Sequence, residues 1–137
     1  MVQTAIKRGP MLRHMDARMI TNPRYQRYAL DLAAEEGIPV QEAVRTAGST
    51  DGAPIHLSSS GVPVIVIGVP VRYAHTHYGI SAYGDFENAV RLACAILRRL
   101  DGERIAGFCG TAPSPPCERR APGTKAAPPA PPRPPGS

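Results

Sequence analysis

Val64-Ile65-Val66-Ile67-Gly68-Val69 is an apolar run dominated by β-branched residues, and it passes at Pro70 into Val71-Arg72-Tyr73-Ala74-His75-Thr76-His77-Tyr78. β-Branched side chains favour the pleated backbone, and a run with no polar member predicts a strand covered on both faces. Pro70 has no N–H to continue a ladder, so the strand is expected to stop there. The residues beyond it are polar, aromatic and histidine-rich. Ligand sites of open α/β sheets gather at the carboxyl ends of such strands. The segment after Pro70 is therefore the most site-like place in the chain.

Working outward, Asp85 reads as the cap of a helix whose apolar stripe is Phe86, Ala89, Val90, Ala93, Ile96, Leu97 and Leu100, closed by Gly102. Cys94, inside that pattern, reads as a small buried hydrophobe. Upstream, Asn22-Pro23 opens another helix: asparagine can accept from free N–H groups, and proline suits the first helical position. Tyr25, Tyr28, Ala29, Leu32 and Ala33 form one face, and Gly37 with Pro39 ends it. Val40–Arg45 predicts a short half-buried strand, Thr46–Pro54 a loop, and Pro54–Ser59 a short helix. A short strand is expected on each side of Gly9-Pro10. Helix, strand, short helix, buried strand, helix is an α/β order.

Ala112–Ser137 holds ten of the sixteen prolines and almost no large apolar residue, too little to offset the entropy of ordering it. The expected division is a globular part over residues 1–101 and a low-complexity, Pro-rich disordered tail over 102–137. Its proline spacing is compatible with polyproline II structure and, at most, a ligand for SH3-type domains.

The net charge of +5 suggests nucleic acid, but Arg119, Arg120, Lys125 and Arg133 lie in the tail, no basic run reaches five residues, and aromatics are sparse. No nucleic-acid partner is expected. Val62–Val71 is too short to span a bilayer and contains two prolines, so no membrane association is expected either. Met1–Pro10 carries basic residues without an apolar stretch behind them, so no targeting segment is legible. Three cysteines without paired spacing make neither a zinc ribbon nor a disulfide framework, and a reducing cytoplasm is the expected location.

On spacing alone the chemistry is thin. His14, His56, His75 and His77 include no His-Glu-x-x-His and no carboxylate couplet beside a histidine. A catalytic zinc needs three protein ligands and an open position. Ser58-Ser59-Ser60 lacks the Gly-x-Ser-x-Gly elbow, and Glu35-Glu36 reads as a solvated helix end.

Three blocks in order are more specific. Lys7-Arg8-Gly9-Pro10 is followed by Asp16. Glu36-Gly37-Ile38-Pro39, Gly48-Ser49-Thr50-Asp51 and Ile55-His56-Leu57 come next. Gly61-Val62-Pro63, the hydrophobic strand, and Val69-Pro70-Val71-Arg72-Tyr73-Ala74-His75 complete the series. Together, across residues 7–100, they resemble the C-terminal part of the dinuclear-metal deblocking, glutamyl and tetrahedral aminopeptidases, some of which are labelled endoglucanases.

The resemblance implies part of the three-layer mixed sheet of a zinc-aminopeptidase-like catalytic domain. It also implies a metal-dependent hydrolase releasing N-terminal residues from peptides, with two divalent ions, zinc or cobalt, and a glutamate as general base. Two such ions lower the pKa of a bridging water and clamp the tetrahedral oxyanion. The family's last metal ligand carries over to His75, and Thr50 and Asp51 carry over to the active-site wall. His77 stands where the family has proline and is not assigned as a ligand. The family's other ligands and its general base lie upstream of the matching region. The resemblance thus implies a fragment that holds no metal pair by itself and is inactive alone. Its expected partners are a peptide substrate in the intact family and a complementary N-terminal half or further copies. The alternative is a non-catalytic assembly or binding module.

Overall fold

A computed structural model describes residues 4–109. The elements are β1 (Met11–Asp16), β2 (Met19–Ile20), α1 (Pro23–Glu35), β3 (Gln41–Val44), α2 (Gly52–His56), β4 (Val66–Gly68), α3 (Tyr83–Arg99) and α4 (Gly102–Phe108). The expected α/β order is present, as a small mixed sheet flanked by helices.

β1 is the axis of the sheet. β3 pairs with it in parallel along one edge, from Met11↔Gln41 to Met15↔Val44, with a register shift between Arg13 and Met15. The opposite edge is shared by antiparallel β4, at Met11–Arg13, and by the short return strand β2, at Met15 and Asp16. Side chains alternate across a strand. Leu12 accordingly enters a buried cluster with Ala29, Leu32, Ala33, Ile38, Leu92 and Ile96, and Ile65 and Ile67 pack against it. Met11, Arg13, Val66 and Gly68 belong to the other face. There a Cβ on Gly52 would meet the Met19 Sδ at 2.9 Å and Val66 Cγ2 at 3.1 Å, so α2 lies close over that face.

α1 forms as its ends predict. The Asn22 side chain accepts from the N–H groups of Arg24 and Tyr25, Pro23 is the first helical residue, and Gly37 takes a left-handed φ of 61° beyond the last turn. At that end Arg99 of α3 donates to both Glu35 and Glu36 at 2.6 Å, so the expected solvated carboxylate pair is a clamp between two helices. All three side chains are substantially exposed, and such surface pairs contribute on the order of 1 kcal/mol or less each.

Several expectations are corrected. Only one strand flanks Gly9-Pro10, because residues 6–8 turn. The short helix begins at Gly52, two residues early, and ends at His56. β4 spans three residues, and Val64–Val69 is half-buried, not covered on both faces. Ala82, not Asp85, occupies the N-cap position of α3, and no side chain caps it. Asp85 sits in the first turn, 2% exposed, and its carboxylate accepts from the N–H groups of Lys7 at 2.7 Å and Gly9 at 2.8 Å. The inward residues of α3 are Asp85, Leu92 and Ile96, whereas Phe86, Val90, Leu97 and Cys94 are exposed.

Ordered structure also continues past residue 101. Asp101 caps α4 by accepting from the Arg104 N–H, and Phe108 stacks on Tyr25 with ring centroids 4.8 Å apart. The Asn22 amide donates to the Phe108 carbonyl, and Arg104 lies over the Tyr28 ring. Gly102 therefore starts a helix on α1 instead of ending α3. The expected Pro-rich tail beyond it lies, from residue 110, outside the described residues.

Candidate active-site segment

β4 delivers the chain through Pro70, which is buried, into a closed loop. Arg72 and Ile80 form an isolated antiparallel bridge, the Arg72 N–H donating to the Ile80 carbonyl at 2.8 Å and the Ile80 N–H returning to Arg72 at 3.1 Å. Within it the Thr76 N–H and hydroxyl both donate to the Tyr73 carbonyl, at 3.2 and 2.7 Å. Tyr73 and His75 both have left-handed φ, 57° and 66°. For a residue with a Cβ this costs roughly 1–2 kcal/mol each. Such strain gathers where a side chain must be presented in one direction. His75 is exposed in this loop and makes no hydrogen bond among the described residues, while the His77 ring lies 4.1 Å from that of Tyr78.

The Thr50–Asp51 segment is held from the far end of β1. Asp16 is 3% exposed and accepts from the Arg18 N–H at 2.9 Å, the Thr50 hydroxyl at 2.9 Å and the Thr50 N–H at 3.1 Å. Arg13 stands 3.8 Å away. Burial alone would raise the Asp16 pKa. The Arg18 N–H, the two Thr50 donors and Arg13 outweigh it and hold the carboxyl below its usual range. Burial and the neighbouring Arg45 pull the Arg13 guanidinium down, and Asp16 pulls it back. Asp51 is exposed at the entry of α2 and makes no capping bond with its side chain.

A carboxylate with a depressed pKa stabilises the fold above its unfolded value, and that contribution disappears as pH falls through the lower folded value. Thr50→Val removes one of the donors. It is expected to cost about 1–2 kcal/mol at neutral pH and to shift the acid loss of stability to higher pH, as urea melts at neutral and acidic pH will show.

Among the described residues no three His, Cys, Asp or Glu side chains converge on a point that could hold a metal ion. Thr50 bonds Asp16, and His75 belongs to a different loop; among the described residues no hydrogen bond joins them. The described residues do not by themselves fit a two-ion site. Sequence reasoning assigned Asp16 only by resemblance and missed its hold on Thr50. It also missed the attachment of Asp85 to Lys7 and Gly9.

The M42 glutamyl aminopeptidase family matches residues 2–92. The chain belongs to that family. It is similar to the glutamyl aminopeptidase of Lactococcus lactis subsp. cremoris, 35% identical over 98 residues, covering 72% of this chain and 27% of the relative. Among solved structures it is similar to the TET aminopeptidase of the marine sediment archaeon Thaumarchaeota archaeon SCGC AB-539-E09, with a TM-score of 0.76 and 36% identity over 77% of this chain and 30% of that one. The Pyrococcus horikoshii TET1 peptidase, which can assemble into a tetrahedron or a large octahedral shell, gives a TM-score of 0.64 and 26% identity, covering 71% of this chain and 28% of that one. The chain thus spans less than a third of the length of these M42 relatives. No helix among its described residues is long and apolar enough to cross a membrane.

Proposed function

We propose that this chain is the histidine-bearing C-terminal part of a metal-dependent aminopeptidase, and that it acts only together with the remainder of such a catalytic unit. The observation that carries this reading is the constrained loop after β4. In it Arg72-Tyr73-Ala74-His75 keeps the family's motif, and the candidate ligand His75 and Tyr73 both take left-handed backbone. In the intact unit His75 would supply one imidazole toward a pair of divalent ions, zinc or cobalt, whose contribution would be Lewis-acid chemistry on water and carbonyl. Thr50, held by Asp16, and Asp51 beside it form part of the wall beside the peptide substrate. The location is the cytoplasm. Alone, the chain is inactive, because one imidazole does not hold two ions. Assembly into a larger oligomer is a second role, supported by the Pyrococcus horikoshii relative, which can assemble into a tetrahedron or a large octahedral shell.

The purified chain is expected to release neither leucine nor glutamate from test peptides in zinc or cobalt. Metal-dependent release by the chain alone overturns the need for further ligands. A chimera of the Lactococcus enzyme carrying residues 7–100 of this chain in place of its own segment is expected to hydrolyse N-terminal glutamate. His75→Ala should then reduce kcat/KM at least about a hundredfold, beyond the loss typical of outer-shell partners of a metal. An unaffected His75→Ala chimera removes His75 from the site.

A further inference from the structure

α3 is apolar on two faces, and the described residues cover only one of them. Asp85, Leu92 and Ile96 point inward. A second row, Tyr83, Phe86, Val90 and Leu97, follows the 3–4 spacing of a helix contact stripe, with exposures of 73, 50, 46 and 70%. Tyr83 and Phe86 touch each other, with ring centroids 5.9 Å apart, and with Val90, Glu87 and Arg91 they line a shallow groove of about 480 Å³. All the residues lining that groove come from α3 itself, so among the described residues nothing opposite forms a second wall. Isolated exposed hydrophobics are ordinary, but a row running most of the length of a helix marks a contact surface.

We infer that this row is the seat of an amphipathic helix from the part of an M42 catalytic unit that this chain lacks. The inference rests on the proposed function, a partial catalytic unit that needs its remainder. Three observations select that occupant. The chain spans only 27–30% of the relatives' length, so most of the family's catalytic unit is outside it. A convex row at helical spacing over a 17-residue helix is complemented by the ridges of another helix, not by an extended peptide. β4 is likewise half-buried and pairs only with β1 among the described residues, so its other edge is unpaired there. Arg91 and Arg98 succeed each other at a seven-residue interval beside the row, which selects a helix with carboxylates flanking its apolar face.

The test co-expresses the full chain with the part of the Lactococcus glutamyl aminopeptidase lying outside the segment matched here. Cys109 and Cys117 are changed to serine, leaving exposed Cys94, on the same side of α3, as a probe. The expected result is a co-purifying complex in which Cys94 reacts with a maleimide roughly tenfold more slowly than in the free chain, as for a residue at the edge of a dry contact. Val90→Glu and Leu97→Glu should each weaken the complex by roughly thirtyfold or more, the loss typical of a central anchor, with an unchanged circular dichroism spectrum. Absence of a complex, a complex indifferent to both substitutions, or unprotected Cys94 overturns the inference. So does self-association of the chain alone that both substitutions abolish, because the occupant is then a second copy. A complex that shows the expected protection but no metal-dependent peptidase activity leaves the docking surface standing and defeats the functional reading instead.

Discussion

Gly9→Ala is expected to leave the chain without a stable fold. Gly9 has a φ of 87°, and a Cβ built there would lie 2.0 Å from the Pro39 carbonyl oxygen and 2.6 Å from its carbon. Both contacts are with backbone, so no side chain can rotate away. Relief requires separating the segment before β1 from the α1–β3 connection. The same movement would disturb the Gly9 N–H bond to Asp85 and the Gly9 carbonyl bond from the Gln41 amide. Left-handed backbone at a residue with a Cβ costs roughly 1–2 kcal/mol, and overpacking about 1–3 kcal/mol more. A core of this size rarely supplies more than about 3–5 kcal/mol. A cooperative thermal transition of wild-type amplitude in Gly9→Ala would show that the Pro39 backbone yields cheaply.

Leu12→Ala is the second large effect. Leu12 is fully buried on the central strand and packs among Ala29, Leu32, Leu92 and Ile96. Truncation removes apolar contact and leaves a hole that alanines on α1 cannot fill. The expected loss is about 2–5 kcal/mol, read as a lower urea midpoint. Leu97→Ala, on the exposed face of the last long helix, should change the midpoint little. That contrast distinguishes the inward row of α3 from the outward one.

The contrast also shows what sequence pattern can and cannot reveal. α1 was legible because both ends carry local chemistry, Asn22-Pro23 and Gly37. In α3 two apolar rows lie side by side, and periodicity alone does not say which meets the sheet. Phe86, Val90 and Leu97 look as apolar as Leu92 and Ile96, yet only the latter two reach Leu12. Asp85 at a helix start reads as a cap because capping is local. Its actual partners are more than seventy residues away, where no local pattern points. α4 did leave a signal, Asp101 followed by Glu103, but a short helix after a glycine resembles a helix ending. For the candidate site, the motif around His75 was legible through family resemblance. The left-handed backbone of Tyr73 and His75 was not, since neither is a residue that favours it.

The central position of β1 bears on the order in which the molecule can assemble. Beyond the adjacent β2, one edge of Met11–Asp16 waits for Gln41–Val44 and the Met11–Arg13 part of the other for Val66–Gly68. The turn before it is tied first by Gln41, which bonds Ala5 and Gly9, and then by Asp85, 76 to 78 positions later. Contacts of such separation close slowly because the intervening chain loses freedom before they form. A nascent chain therefore carries this strand with its Met11–Arg13 edge unpaired until Val66–Gly68 has been made. Slowing synthesis between β3 and β4 should increase capture by chaperones and loss to aggregation, whereas a pause after α3 should not.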